Sequence, residues 1–257
     1  MFIKFIKKIN LFLKILLSQN YYFETCKSQN DNKENLFLLY LSEFVENKNF
    51  VEIGFHHLEY NTIGLIKKNF SGQLIDGGSK INIFIMRLLI YILKKNVKVS
   101  NIFVTKKNVT KTIKQKEIGF LSIDIDGNDF WILKTIIDEG VLPEVIITEY
   151  NPSFLNYNIS IPYEEFFNRI EKHKSGFYHG ASLKAFANLL KKYDYSLIKC
   201  IGGTNAVFLK NSIKENKNIT SYEAEAIYQE GELRNKWSKL DANSQYEKIK
   251  HLPFEKI

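Results

Sequence analysis

The sequence predicts an α/β domain whose sheet is mostly parallel and covered by helices on both faces. Short, nearly uninterrupted apolar runs recur at residues 50–54, 72–75, 99–104, 120–126 and 145–148, and segments with helical spacing separate them. Strands of that composition have no solvent face, as expected of parallel strands held between two helical layers. The last two runs, 195–201 and 205–209, are joined only by Gly202, Gly203 and Thr204. That length and chemistry suit a hairpin turn, so the sheet should close on an antiparallel edge. With 257 residues and 45% apolar content the chain can bury one sizeable core, and no repeat or Pro/Gly-rich linker divides it.

Taken in order, residues 19–49 form a helical lead-in, with a polar link at 28–34 and helical periodicity over 35–46. The domain proper spans 50–210. Its first strand leads to a helix at 60–69. The second strand ends at Asp76 and precedes a strongly apolar helix at 82–95. Residues 120–131, FLSIDIDGNDFW, are the most telling stretch: a buried strand delivers Asp124 and Asp126, then a glycine, into a helix at 129–139. The strand at 145–148 runs into Glu149, Tyr150 and Asn151. Residues 152–178 are long, aromatic and without clear period, and are expected to fold over the crevice as a substrate-shaping insertion. A helix at 182–192 precedes the hairpin. The tail, 211–257, is charged, with a helical stretch around 222–237 and no evident chemistry.

Residues 1–18, MFIKFIKKINLFLKILLS, place Lys4, Lys7, Lys8 and Lys14 on one side of a helix and a wide apolar arc on the other. Lysine interrupts the segment too often for it to cross a bilayer, and no small-residue cleavage site follows it. Two readings remain, attachment to a membrane surface or packing on the domain or a partner. The net charge of +8 comes almost wholly from lysine, with arginine only at Arg87, Arg169 and Arg234. Lysines spread over the whole chain, without arginine forks, argue against a nucleic-acid partner. Cys26 and Cys200 are far apart and form no metal-ligand spacing, which fits a reducing, cytoplasmic compartment, with the inner face of the membrane as the place of any surface contact. The Lys, Asn and Ile bias matches an AT-rich, bacterial genome.

In an open parallel sheet the ligand crevice lies outside the carboxyl ends of the strands. That rule alone selects Glu52 and Gly54 after the first strand, Asp76 after the second, Asp124 and Asp126 after the fourth, and Glu149 to Asn151 after the fifth. Asp76 lies about 20 residues beyond Gly54, where an acid can accept both ribose hydroxyls. Only one glycine stands where a dinucleotide fingerprint has three, so a nucleoside ligand without phosphates is expected rather than NAD.

The ordered set VEIG, EYNT, SGQLIDGG, LSIDIDGNDFW, ITEYNPSF, IPYEEF, YHGASLKAF and GGTNAVFLK, over residues 50–210, resembles the FkbM-like branch of the S-adenosylmethionine-dependent methyltransferases. The resemblance implies a class I, Rossmann-like methyltransferase fold, a seven-stranded sheet with a reversed final hairpin, and O-methylation of sugars in surface glycans or of related metabolites. By motif position Glu52, Gly54 and Asn61 would line the methionine end of S-adenosyl-L-methionine and Asp76 would hold its ribose. Asp124, Asp126 and Asn128 would face the transferred methyl group or the acceptor. Glu149, Tyr150, Asn151 and His179 would border the acceptor. Phe55, His56 and His57 depart from the small residues usual in the first loop, and bulky side chains there would narrow the cofactor pocket.

Methyl transfer to a hydroxyl needs alignment and removal of one proton. Asp124 and Asp126 are the expected base or positioning groups, with Glu149 beside them and His56, His57 and His179 as secondary candidates. Two rival functions are compatible with the sequence. Asp124-Ile125-Asp126 matches the bare Asp-x-Asp pattern of metal-dependent nucleotide-sugar glycosyltransferases, and the altered first loop is compatible with an inactive, methyltransferase-like binding protein. A divalent ion is not required by the principal reading, although Asp124, Asp126 and Glu149 are hard oxygen ligands.

Overall fold

The computed structural model describes Lys14 and residues 18–257, so the amphipathic segment at 1–18 lies almost wholly outside the described residues. The chain enters through α1 (Gln19–Thr25) and α2 (Gln29–Leu41). The link expected at 28–34 is instead the start of α2. Glu34 is fully buried there, and its carboxylate accepts from Ser28 Oγ at 3.0 Å and Asn205 Nδ2 at 3.1 Å, which ties the helix to the sheet.

Strands and helices then alternate: β1 (Asn49–Ile53), α3 (Ile63–Lys67), β2 (Ser71–Asp76), α4 (Lys80–Ile92), β3 (Val97–Asn101), α5 (Val109–Thr112), β4 (Phe120–Ile123), α6 (Asp129–Asp138) and β5 (Val145–Glu149). After the insertion, with β6 (Ile159–Ser160) and α7 (Arg169–Lys172), come α8 (Leu183–Lys191), β7 (Tyr195–Ile201) and β8 (Asn205–Lys210). The tail folds as α9 (Asn211–Asn216), α10 (Ala224–Ile227), α11 (Glu232–Ser238), α12 (Ala242–Ile249) and β9 (Glu255–Lys256). One seven-stranded sheet has the order β3-β2-β1-β4-β5-β8-β7; its first five strands are parallel, and β8 runs antiparallel to both neighbours. This is the α/β architecture and reversed hairpin expected. Gly202 and Gly203, at φ +62° and +68°, make the tight turn between β7 and β8, closed by Thr204 N donating to Ile201 O at 3.2 Å.

Both sheet faces are buried, which explains the uninterrupted apolar runs. Val51, Leu121 and Ile146 pack on one side with Phe130 of α6 and Phe186 of α8, while Phe50, Phe120 and Val145 pack on the other with Leu38 of α2 and Met86 of α4. Each such side chain contributes roughly 1.5–3 kcal/mol.

Three elements are shorter than expected, each for a local reason. Residues 60–62 stay outside α3 because the Glu52 carboxylate holds the Asn61 and Thr62 amides. Strand β3 stops at Asn101, not 104, because its partner β2 ends at Asp76, whose carbonyl accepts from Ile102 N at 3.0 Å. The tail helix expected at 222–237 is two pieces, α10 and α11, since Tyr150 Oη donates to Gln229 O (2.8 Å) and Tyr228 Oη to Pro152 O (2.6 Å), pinning the break against the domain.

Candidate active site

The sheet order reverses between β1 and β4, and a cleft opens there, at the carboxyl ends of β1, β2 and β4. Its volume is about 390 Å³, within the range of small-ligand sites. Glu52, Gly54, Asn61, Asp76, Asp124, Asp126 and Asn128 all line it, so the sheet brings together the cofactor residues expected and both strand-end aspartates.

Gly54 holds this arrangement together. It has φ +85°, its N–H donates to Ile75 O at 2.8 Å, and Asp124 N donates to Ile53 O at 2.9 Å, so the tips of β2, β1 and β4 are laced side by side. A Cβ at this position would stand 1.7 Å from Asp124 O, so only glycine fits. Two residues earlier, Glu52 is 1% exposed and its oxygens accept from Asn61 N (2.7 Å), Thr62 N (3.0 Å) and Thr62 Oγ1 (2.5 Å). Burial raises its pKa to about 7, with these donors opposing. Glu52 thus shapes the turn that forms the cleft wall. Asn61 donates to Ser122 Oγ at 3.1 Å, while its own Oδ1 is buried at the cleft with no protein donor among the described residues. On the opposite wall Asp76 takes Gly78 N at 2.8 Å on Oδ1, and residues 102–104 complete an apolar side.

The two loop histidines diverge. His57 turns inward, its N–H and Nδ1 both meeting Asn82 Oδ1 of α4 (2.7 and 2.8 Å), while Asn82 Nδ2 donates to Phe55 O at 2.9 Å. The bulky loop is therefore pinned to α4, and Phe55 and His56 remain as cleft walls.

Beyond β4, Asp129 staples the loop: its carboxylate accepts from Ile125 N (2.8 Å) and Gly127 N (2.9 Å), and burial lifts its pKa to about 7. The loop presents Asp126 in the left-handed region, φ +56°, a conformation uncommon outside glycine. Asn128 reaches the segment 152–178, donating to Glu164 O at 2.7 Å, and Phe167 of that segment packs on Gly127 and lines this end of the cleft. Asp124 is pushed well above the usual carboxylate range, first by burial and then by the charges of Glu149, Asp126 and Asp129.

Behind Asp126 lies a buried polar cluster. Glu149, at the end of β5, faces His179 Nε2 at 3.8 Å and Arg234 Nη2 at 3.5 Å. Arg234 also donates to Asn151 Oδ1 at 2.8 Å and meets His179 Nε2 at 3.2 Å, while His179 Nδ1 lies 3.1 Å from Gly176 O. Burial alone would raise the Glu149 carboxyl; His179, Arg234 and Arg169 outweigh it and hold the group below its ordinary value. Its Oε2 is buried without a protein donor among the described residues. Arg169 of α7 pairs with Asp126 at 2.5 Å. Tyr150 is fully buried with its hydroxyl engaged by Gln229, and Asn151 Nδ2 donates to Phe177 O and His179 O, so both build the wall behind this cluster.

Arg234 was not anticipated. It reaches the cluster from a tail expected to carry no chemistry, and it is 8% exposed. Asp126, Glu149 and His179 bring one potential ligand atom each within 4.8 Å of one another. Asp124, grouped with Asp126 and Glu149 as hard ligands in the sequence reading, is not in this set. Guanidinium groups already stand against all three, Arg234 on Glu149 and His179 and Arg169 on Asp126, so the donors do not fit a divalent ion.

Fold and site together define an α/β protein with a reversed-hairpin sheet and an acid-lined crevice at its switch point. No protein-family model and no curated protein matches the chain. Among solved structures it is similar to an O-methyltransferase from Bacillus cereus in complex with SAH (18% identity, TM-score 0.48, covering 77% of this chain and 90% of that one). It is also similar to an S-adenosylmethionine-dependent methyltransferase from Clostridium acetobutylicum (11%, 0.45, covering 69% and 90%) and to an SAH-bound Podospora anserina methyltransferase (15%, 0.45, covering 70% and 78%). The fold is read from this chain's own strand order.

Proposed function

We propose that this chain is an S-adenosylmethionine-dependent methyltransferase acting on a hydroxyl oxygen. One observation carries the reading. In a chain of net charge +8, this cleft carries the carboxylates of Glu59 and Asp76, with Asp126 at its mouth, and no lysine or arginine lines it. Such a wall repels phosphates and attracts a cation. A nucleoside bearing a sulfonium and an ammonium group has that charge, and a dinucleotide or a sugar diphosphate has the opposite one. The glycosyltransferase reading fails on the same ground, since its diphosphate would meet carboxylates and its metal would meet Arg169 and Arg234.

The residues present fit this cofactor. Asp76 suits the ribose hydroxyls, residues 102–104 suit the base, and the unpartnered Asn61 Oδ1 suits the ammonium group. When bound, the cofactor supplies a methyl group on an activated sulfonium centre. What remains for the chain is to align the acceptor and take its proton. Asp124, at the inner end of the cleft, positions the acceptor, and Asp126, exposed at the cleft mouth, takes the hydroxyl proton. Arg169, and the Glu149–His179–Arg234 cluster behind it, fix Asp126 and accommodate the change in charge. A sugar hydroxyl of a surface glycan or related metabolite as acceptor follows from the FkbM-like resemblance, and Phe167 and Asn128 tie residues 152–178 to that side of the cleft.

Thermal unfolding with a ligand panel tests this. S-adenosylmethionine and S-adenosylhomocysteine should stabilise the chain, by about 2.7 kcal/mol at a hundredfold excess over Kd. Uridine-diphosphate sugars with manganese should not; the reverse pattern would overturn the reading.

A further inference from the structure

The methionine end of the methyl donor carries an ammonium and a carboxylate on one carbon, and the cleft so far offers a partner only to the ammonium. Glu59 and Asp76 repel the carboxylate, as does Asp126 at the mouth, and no lysine or arginine lines the walls. The neutral side chains there that could donate to it are spent inside the protein. Asn61 Nδ2 donates to Ser122 Oγ at 3.1 Å, Asn128 Nδ2 donates to Glu164 O at 2.7 Å, and the Tyr60 hydroxyl lies 3.2 Å from Tyr22 Oη in the core. His56 remains, exposed on the cleft wall.

Its position is fixed by the backbone. His56 and Glu59 face each other across a tight turn, His56 N donating to Glu59 O at 3.1 Å and Glu59 N to His56 O at 2.9 Å. The turn is held from two sides: His57 is fastened to Asn82 Oδ1 of α4, and Lys27 N donates to Leu58 O while Tyr60 N donates to Lys27 O, both at 3.2 Å. The His56 ring leans on that of His57, with centres 4.2 Å apart. His56 Nδ1 accepts from Leu58 N at 3.4 Å, so a neutral ring keeps its proton on Nε2, and an imidazolium carries one there as well. In either form Nε2–H is the donor directed away from the turn. Asn61, with its unpartnered Oδ1, follows Glu59 by two residues and lines the same cleft.

Resting on the methyl-donor reading of this cleft, we infer that His56 Nε2 binds the cofactor's α-carboxylate, while Asn61 Oδ1 and Glu59 take the ammonium group beside it. The turn at 56–59 thus recognises the amino-acid end as a zwitterion. Charge supports both halves. Among the lining residues only His56 can become positive, and Glu59, its partner across the turn, is negative. A hydrogen bond to a carboxylate is of the charge-assisted kind, stronger than one between neutral groups. The departure of the first loop from small residues thereby acquires a use: the side chain that narrows the cleft supplies the donor that an acid-lined wall lacks. His56 is a binding residue for the donor's tail and is separate from the acceptor side, where Asp126 and Arg169 stand.

Calorimetric titration of the full chain tests the inference, with S-adenosylhomocysteine and with methylthioadenosine, which keeps the nucleoside and the sulfur but lacks the amino-acid tail. His56→Ala should weaken S-adenosylhomocysteine about 10–100-fold and leave methylthioadenosine unchanged, whereas Asp76→Ala should weaken both. His56→Gln, which keeps an N–H donor, should recover part of the loss. His56 is exposed, and an unchanged unfolding temperature verifies that its variants fold. Equal weakening of the two ligands by His56→Ala would overturn the inference in favour of a residue that only shapes the loop. Unchanged S-adenosylhomocysteine affinity in His56→Ala would overturn it too, as would an unaltered chain that binds methylthioadenosine no less tightly than S-adenosylhomocysteine. An unaltered chain that binds neither ligand would refute the methyl-donor reading itself, and the inference with it.

Discussion

Arg234→Met is the most revealing single change. Methionine keeps the apolar stem of the side chain and removes the guanidinium that stands 3.5 Å from Glu149 Oε1 and 2.8 Å from Asn151 Oδ1. Glu149 is then left buried with one unpartnered oxygen, with His179 beside it and Arg169 acting from further off. Breaking a buried ion pair from one side costs about 3–5 kcal/mol, a large part of the 5–15 kcal/mol that stabilises a typical domain. The sign with pH follows from Glu149. In the unaltered chain its pKa is held below the ordinary 4.5, so the group contributes stability above about pH 4.5 that is lost as pH falls through its folded value. Without Arg234, burial dominates and raises that pKa, so the variant becomes progressively less stable than the parent as pH rises from about 4.5 to 8. Urea unfolding at both pH values reads this directly. E149Q/R234M should recover most of the loss, because replacing both partners leaves no isolated charge. A loss under about 1 kcal/mol at pH 8, or an equal loss at both pH values, would refute the reasoning.

Other consequences are equally specific. Gly54→Ala should cost about 3 kcal/mol in urea unfolding, roughly 1–2 for the left-handed backbone and the rest for strand-tip hydrogen bonds parted by the overlap with Asp124 O, and S-adenosylhomocysteine binding should disappear in calorimetry. Asp126→Asn should lower kcat about 10²–10⁴-fold once an acceptor is in hand while leaving S-adenosylhomocysteine affinity intact, as seen by parallel kinetics and calorimetry. Glu52 titrates near 7 in the folded chain against an ordinary 4.5, so its contribution to stability is complete below pH 4.5 and declines towards pH 7. Unfolding free energies across that interval should fall less steeply in Glu52→Gln than in the parent.

Much of this molecule is visible in its sequence, and the divide has physical causes. The parallel strands stand out because burial on both faces leaves no polar alternation, and Gly202-Gly203 marks the hairpin because two successive positive φ angles ask for glycine. The cleft residues Gly54, Asp76, Asp124 and Asp126 follow from a topological rule, that ligands meet open parallel sheets at the carboxyl ends of strands. What stays hidden depends on long-range partners. Glu34 converts an apparent linker into a helix by bonding to Asn205, 171 residues away, and Asn82 fixes the histidine loop from a helix whose pattern shows only apolar spacing. Arg234 had one usable signal. In a chain that otherwise uses lysine, its three arginines occupy sites that need a planar, multiply donating cation: Arg87 on a strand-edge carbonyl, Arg169 on Asp126, Arg234 between Glu149, Asn151 and His179.

The most direct test of the central claim is calorimetric titration of the full chain with S-adenosylhomocysteine, repeated on Asp76→Ala. Saturable one-site binding, weakened at least tenfold in the variant, is the predicted result. No binding to the unaltered chain, or binding that Asp76→Ala leaves untouched, would contradict the assignment of this cleft as a methyl-donor site.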